Sequence, residues 1–410
     1  MSAHRDGVGI SPREVSLPAG HPLARAAWPS VIVGVLALAA AWLLGGGSPR
    51  FYAAYLVAYL YGLTVALGGL FFVLLQFATR SGWSVTVRRL GEHVMGTLPL
   101  FVVLFVPVAL GAPELFTWMA PGAAAHDPNL AGKAAFLNPG FFYLRSAAYL
   151  VLWGAMGWWF RRRSLAQDST GDPKVTRLLQ SASAPALLVY AITLTLASFD
   201  WIMSLDPHWY STIFGVYVFA GSTVAIFALV ILLAVVLERR GPLAGVITPE
   251  HYHDLGKMLF SFVAFWAYIA FSQYMLMWYG NIPEETVWWG QRLGHGWLGF
   301  SVGLALVNFV LPFFFLLSRD VKRHRVTIGI AAVWLLAAHY VDVYWLVMPS
   351  LAAHGVGGLG SGFRLDWLDL LALVAVVGLF LGTLGLLMRR SALVPVADPR
   401  LPESLSFENM

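Results

Sequence analysis

Two ionisable residues lie three positions apart inside an otherwise apolar segment. His339 and Asp342 fall within residues 326–348, and this spacing puts both side chains on one face of a helix. A charged side chain costs about 2.5–3.5 kcal/mol at the centre of a membrane, so such a residue needs a partner or a function. Chains of histidine and carboxylate groups are typical of proton relays. We therefore expect proton transfer at His339 and Asp342, the alternative being a buried hydrogen bond between helices.

A second pair of opposite charge lies in the preceding part of the chain. Arg145 is near the start of the apolar segment 141–160, and Asp200 is near the end of the segment 183–204. Both are expected at a similar shallow depth, which makes an ion pair between them plausible. Such a pair either locks two helices together or takes part in proton transfer, and the sequence leaves both readings open.

Four further polar residues are expected in the same half of the membrane as Asp342. They supply amide, phenol and imidazole groups: Gln273, Tyr274, His295 and Asn308. Such groups form either a quinone site or a hydrogen-bond network between helices. His295 and His339 are the only histidines there that might ligate a haem, but they lie at different depths. We predict no metal site.

Candidate groups for proton entry lie at the opposite ends of the helices. Lys257 is at the mouth of one apolar segment and His93 at the mouth of another. Ahead of Lys257 the chain carries two histidines and two carboxylates within residues 250–254. Their spacing matches no metal motif, so we expect an exposed loop, with a proton-collecting entrance as the alternative.

The composition predicts the kind of secondary structure that positions these polar residues. Of 410 residues, 59% are hydrophobic and 11% are charged, and there is no cysteine. Soluble domains are about 45–50% apolar and about 25% charged, so this chain is expected to be an all-α polytopic membrane protein. Without cysteine it forms no disulfide, thiolate zinc site or cysteine-ligated iron–sulfur cluster. About ten transmembrane helices are predicted at 26–44, 51–78, 93–111, 141–160, 183–204, 210–237, 256–280, 293–317, 326–348 and 367–388.

The basic residues predict the orientation of these segments. Of the 26 lysines and arginines, 21 lie at the two termini and in the even-numbered loops, and four lie in the odd-numbered loops. Cytoplasmic loops carry the excess of positive charge. Both termini are therefore expected on the cytoplasmic side of the membrane, with Asp200 and Asp342 in its outer half. Nucleic acid is not an expected partner.

Segments two to five and six to nine resemble two copies of one unit. Asp200 is followed seven residues later by Pro207, and Asp342 seven residues later by Pro349. Equivalent segments start on the same side, so the two four-helix bundles are parallel repeats. The predicted divisions are 1–50 (N-terminus and peripheral helix 1), 51–208 (first bundle), 209–350 (second bundle) and 351–410 (peripheral helix 10 and C-terminal tail).

Small residues four positions apart predict close helix packing at two places. The pairs are Gly299 with Gly303 and Gly378 with Gly382. The long segment 112–140, rich in proline, glycine and alanine, is expected to lie on the membrane face or against a partner subunit.

Two motifs resemble a known membrane-protein family. They are SFDWIMSLDPHWYST at residues 198–212 and SQYMLMWYGNIPEE at residues 272–285. Both are similar to the ActF-type membrane subunits of bacterial alternative complex III, within the NrfD-like (polysulfide reductase membrane subunit) group. The resemblance covers about residues 30–390, and the ten spans in two parallel units match the architecture of that group.

The resemblance implies a function and partners. Alternative complex III oxidises membrane quinol and passes electrons to cytochrome c or another periplasmic carrier. The expected partners are a homologous ten-helix ActC-type subunit, an iron–sulfur protein, multihaem and monohaem cytochromes c, and small membrane subunits. Iron–sulfur clusters and haems would lie in those partners, while this chain would carry no redox centre and would support proton transfer.

Three alternatives remain open at this point. In the first, the chain binds quinone, either menaquinone or ubiquinone, with lipid as a further ligand. In the second, it is a structural scaffold of the same complex. The third is a secondary transporter, a class that often shows inverted rather than parallel repeats.

Overall fold

The chain is an all-α protein with helices arranged as membrane-crossing segments. The computed structural model describes residues 10–409 except 240, 295 and 361. Within these residues there is no strand, and a single isolated bridge pairs Ser16 with Ala392. The helices are α1 Pro22–Gly45, α2 Pro49–Ala78, α3 Val85–Met95, α4 Leu98–Leu115, α5 Ala123–His126, α6 Pro128–Lys133, α7 Pro139–Thr170, α8 Pro173–Trp201, α9 Phe214–Arg239, α10 Pro249–Gly280, α11 Pro283–Leu293, α12 Leu298–Ala305, α13 Leu311–Leu317, α14 Arg319–Arg323, α15 Arg325–Ala353, α16 Trp367–Met388 and α17 Leu401–Leu405.

Nine helical segments of the described chain are long and apolar enough to cross a membrane. They include α3 with α4 as one segment and α12 with α13 as another. The tenth predicted segment, 141–160, lies within the 32-residue helix α7, in which three consecutive arginines directly follow that segment. The protein is therefore a multi-pass membrane protein, as its composition predicts.

Local sequence signals explain where many helices begin. Seven helices start at a proline, which lacks an N–H group that the first turn would leave unpaired. In front of α2, α7 and α8, the side chains of Ser48, Asn138 and Asp172 accept hydrogen bonds from first-turn N–H groups. Several helices extend beyond the predicted spans: α8 starts at Pro173 rather than 183, and α10 at Pro249 rather than 256.

The two most enclosed helices are α2 and α9, which lie at the centre of the molecule. In their most apolar windows, 89% and 83% of the residues are buried inside the protein. They contact each other closely: the Ser222 hydroxyl donates to the Thr64 carbonyl at 2.7 Å. Each is the first helix of one predicted bundle. The bundles thus share one core, and their division into repeats stays a prediction.

Helices α1 and α16 pack against each other, and the described residues before α1 lie beside those after α16 at one end of the molecule. The Leu393 N–H donates to the Val15 carbonyl at 2.8 Å, which ties the N-terminal segment to the residues after α16. We call this end the terminal side and the other end the opposite side.

One predicted glycine contact is present and the other is wrong. A Cβ atom on Gly382 would lie 2.8 Å from the backbone nitrogen of Val31 in α1, and one on Gly378 would lie 3.0 Å from the Cα of Gly34. Around Gly299 and Gly303 a Cβ would meet no atom within 4 Å. These two glycines lie on an open face of α12, because four-residue spacing alone does not specify which face packs.

Replacing Gly382 by valine should therefore destabilise the protein, whereas the same change at Gly303 should not. The added side chain at Gly382 meets backbone atoms of α1 that cannot move aside, so we expect a loss of about 2 kcal/mol or more. Gly303→Val is the matched control, with an expected change within about 0.5 kcal/mol. Unfolding of both purified variants in detergent checks this, and equal stabilities would contradict the packing described here.

Candidate functional site

Asp342 is a buried carboxylate that receives hydrogen bonds from two uncharged side chains. The Tyr217 hydroxyl of α9 donates to Oδ1 at 2.6 Å, and the Trp266 indole of α10 donates to Oδ2 at 3.1 Å. The residue is 1% exposed. No cation within the described residues forms an ion pair with it. Its charge, when present, is thus balanced only by neutral dipoles.

His339 lies beside Asp342 and links α15 to the central helix α2. Its Nε2 is 2.8 Å from the hydroxyl of Thr64, which itself donates to the Leu60 carbonyl at 2.8 Å. The hydroxyl is thus an acceptor toward the ring, so Nε2 carries the proton and Nδ1 has a free lone pair. Nδ1 is buried and has no hydrogen-bonding partner among the residues that the structure describes. This nitrogen can accept a proton.

A glycine on α9 leaves room between these two groups. A Cβ atom on Gly221 would lie 3.2 Å from both Asp342 Oδ2 and His339 Nδ1. The carboxylate and the imidazole therefore border the same small space, as their three-residue spacing predicts. Helices α2, α9, α10 and α15 together supply the side chains of this polar cluster.

The predicted ion pair between Arg145 and Asp200 is present. The Arg145 guanidinium binds both carboxylate oxygens, with Nε 3.0 Å from Oδ2 and NH2 2.6 Å from Oδ1. The Tyr149 hydroxyl donates to Oδ2 at 3.0 Å, and the rings of Phe136 and Phe141 cover the guanidinium. This two-point pairing joins α7 to α8 and holds both charges fixed.

The two carboxylates thus have different chemistry despite their similar places in the sequence. Asp200 faces a cation that neutralises it, whereas Asp342 faces a phenol and an indole. A fixed ion pair favours a structural role for Arg145 and Asp200. A carboxylate without a counter-ion becomes neutral when it binds a proton, whereas a proton on Asp200 would leave the Arg145 charge buried and unpaired.

The remaining predicted groups near Asp342 do not converge on it. Gln273 is buried, but its Oε1 has no hydrogen-bonding partner, and the Tyr274 ring packs against Trp289. Asn308 is buried in the π-helical turn Leu306–Val310, which lies between α12 and α13. Pro312 lacks the N–H group that would bond to the Asn308 carbonyl, which explains the irregular turn. His295 lies outside the described residues.

On the terminal side, His93 lies next to a buried cluster of charges. Glu92 pairs with Arg88 and with Arg89, and Arg88 also binds Asp398 from the C-terminal tail at 2.6 Å. His93 is fully buried beside the backbone of Ala392, and neither ring nitrogen makes a hydrogen bond of good geometry within the described residues. The C-terminal tail covers this cluster, which a linear sequence does not reveal.

Lys257 lies near the start of α10, on the terminal side. It pairs with Asp254, and its Nζ donates to Asn409 at 2.9 Å. The expected exposed loop at 250–254 is wrong, because these residues are helical and His251 is buried against the Ser404 carbonyl. No group of three or more metal-ligating side chains occurs in the described part of the chain.

Sequence reasoning missed three residues on the opposite side: Asp206, Arg292 and His354. Arg292 was counted only as a loop charge, yet it is fully buried. It binds the Leu346 carbonyl and the Ser350 hydroxyl of α15. The signal in the sequence is the spacing of four residues that joins Asp342, Leu346, Ser350 and His354.

Comparison with known proteins found no match: neither a protein-family model nor a curated protein matches the chain. The resemblance carried by the two motifs therefore enters the functional argument only as an expectation.

Proposed function

We propose that this chain is a membrane subunit that transfers protons within a quinol-oxidising electron-transfer complex of the alternative complex III type. The observation that carries the proposal is Asp342, a carboxylate buried among helices with only a phenol and an indole as donors. Burying an unpaired carboxylate costs several kcal/mol, and binding a proton removes that cost. Such a group is suited to exchange protons rather than to hold helices together.

His339 supports the same proposal from the adjoining turn of α15. Its unpartnered Nδ1 borders the same space as Asp342 Oδ2. A proton that leaves Oδ2 therefore has an acceptor nearby. Proton pathways in membrane proteins are commonly built from histidine and carboxylate groups.

We assign a structural role to Arg145 and Asp200. His93 and Lys257 remain candidates for proton entry. Gln273, Tyr274 and Asn308 are secondary groups. The orientation predicted from the basic residues puts the terminal side at the cytoplasmic face of the membrane. For a complex of this type, that membrane is the bacterial inner membrane. The side that carries Asp206 and His354 is then the outer side.

The assignment to a complex is tested by purifying the chain, tagged at its C-terminus, from the membranes of its source. We expect iron–sulfur proteins, c-type cytochromes and a second ten-helix subunit to copurify, together with quinol oxidation by a cytochrome c or another carrier. Haem absorbance and metal analysis of the preparation provide the measurement. A preparation that is pure, folded and free of haem, iron and quinol-oxidising activity would contradict the assignment.

A further inference from the structure

Polar groups continue from Asp342 along α15 toward its end on the opposite side. The backbone carbonyl of Leu346 and the hydroxyl of Ser350 follow at intervals of four residues, and His354 caps the helix twelve residues after Asp342. At 1.5 Å per residue, this row covers about 18 Å. It leads from the buried carboxylate to the last turn of the helix.

Arg292 of α11 occupies the middle of this row. Its NH2 donates to the Leu346 carbonyl at 2.8 Å and lies 3.2 Å from the Ser350 hydroxyl. The guanidinium lies 3.3 Å from the ring centre of Trp288, and its Nε is buried with no hydrogen-bonding partner among the described residues. None of the ion pairs in the described chain includes Arg292. Burial lowers the pKa of Arg292, but a guanidinium stays protonated in proteins, so a positive charge is fixed between Asp342 and His354.

The outer end of the row is a carboxylate beside an imidazole. Gln291 donates to Asp206 Oδ2 at 2.7 Å, and His354 Nε2 is 3.7 Å from Oδ1. Burial alone would raise the pKa of Asp206. The nearby imidazole, the Gln291 hydrogen bond and the positive charge of Arg292 outweigh burial and hold this pKa below its usual value. Lys133 is a further cation near Asp206.

We propose that Asp206 and His354 form the outer proton-release site, and that Arg292 is a positive barrier between this site and Asp342. This inference rests on the proposed function. In the transfer, the Asp342 carboxyl loses a proton and the His354 imidazole gains one. The ionised Asp206 stabilises the imidazolium until its proton passes to water. The fixed guanidinium raises the barrier for a proton that moves in either direction, which slows passive return from His354 to Asp342.

The test uses the complex purified through this chain and reconstituted into vesicles. Proton release at the outer face is recorded with an impermeant pH dye after quinol is added. We expect His354→Gln and Asp206→Asn to slow release about tenfold and to shift its pH profile, because the acceptor or its counter-ion is lost. We expect Arg292→Gln to speed the decay of the proton gradient on the order of tenfold, whereas Arg292→Lys keeps the charge and the slow decay.

Controls separate this inference from the proposed function and from simple misfolding. Arg364→Gln changes an exposed arginine on the same side and should leave release and decay unchanged. If Asp342→Asn stops release while His354→Gln and Asp206→Asn keep normal kinetics and pH profile, the release site is wrong and the proposed function stands. If Asp342→Asn has no effect, the proposed function itself fails. Should Arg292→Gln not assemble, His354→Gln decides the question, because His354 is partly exposed whereas Asp206 is buried.

Discussion

Replacing Arg145 by methionine should destabilise the protein by about 3–5 kcal/mol. The substitution keeps most of the side-chain volume but leaves Asp200 buried without its counter-ion, and an uncompensated buried charge has a cost of this size. Asp200 is fully buried, and its remaining donor would be the Tyr149 hydroxyl. Equilibrium unfolding of the purified chain in mixed detergent micelles measures the loss.

A double-mutant cycle shows whether the loss comes from the unpaired carboxylate. Adding Asp200→Asn to Arg145→Met removes the buried charge and should recover a large part of the stability. Tyr149→Phe removes one neutral donor and should cost only about 1 kcal/mol. The ion pair does not stabilise α7 against α8 if Arg145→Met alone is as stable as the natural chain. The same conclusion follows if adding Asp200→Asn to Arg145→Met recovers no stability.

Much of the fold follows from the sequence because the membrane imposes it. A helix that crosses a bilayer needs about 20 apolar residues, so composition and run length predict the segments. The pairing of Arg145 with Asp200 was also predictable, since both charges were expected at one depth and each needed a partner. The closeness of His339 and Asp342 follows from helix periodicity alone.

The errors arise where distant parts of the chain meet. The residues at 250–254 read as an exposed loop, but the C-terminal tail covers them: Ser404 accepts a hydrogen bond from His251. Nothing local signals a contact over 150 residues of sequence. The open face at Gly299 and Gly303 has a similar cause, because the choice of packed face depends on neighbouring helices.

Arg292 was missed for a different reason. An arginine between two apolar segments is usually a solvated loop charge, and counting charges for topology treats it as one. Its burial depends on α11 packing against α15, and its guanidinium stacks on Trp288 of its own helix. The four-residue spacing from Asp342 to His354 is present in the sequence. It points to a functional row of residues only together with the contact that Arg292 makes with α15.

Asparagine at position 342 should abolish proton transfer without unfolding the protein. The amide has nearly the shape of the carboxyl group: its oxygen can accept from Trp266 while its NH2 group donates to the Tyr217 oxygen, but it cannot bind and release a proton. Because the substitution removes a buried charge that has no counter-ion, stability should stay equal or rise. This result would be opposite to that of Arg145→Met, which creates such a charge.

Proton transfer at Asp342 is tested most directly with the intact complex that carries Asp342→Asn. The complex is reconstituted into vesicles, and quinol oxidation and proton release are recorded at the same time. We predict that quinol oxidation stays within about twofold, while proton release through this subunit falls by about tenfold or more. Lost quinol oxidation in an assembled complex would contradict the relay and indicate a quinone site instead. Unchanged oxidation and unchanged release would also contradict it, leaving Asp342 as a hydrogen-bonding group of a structural subunit.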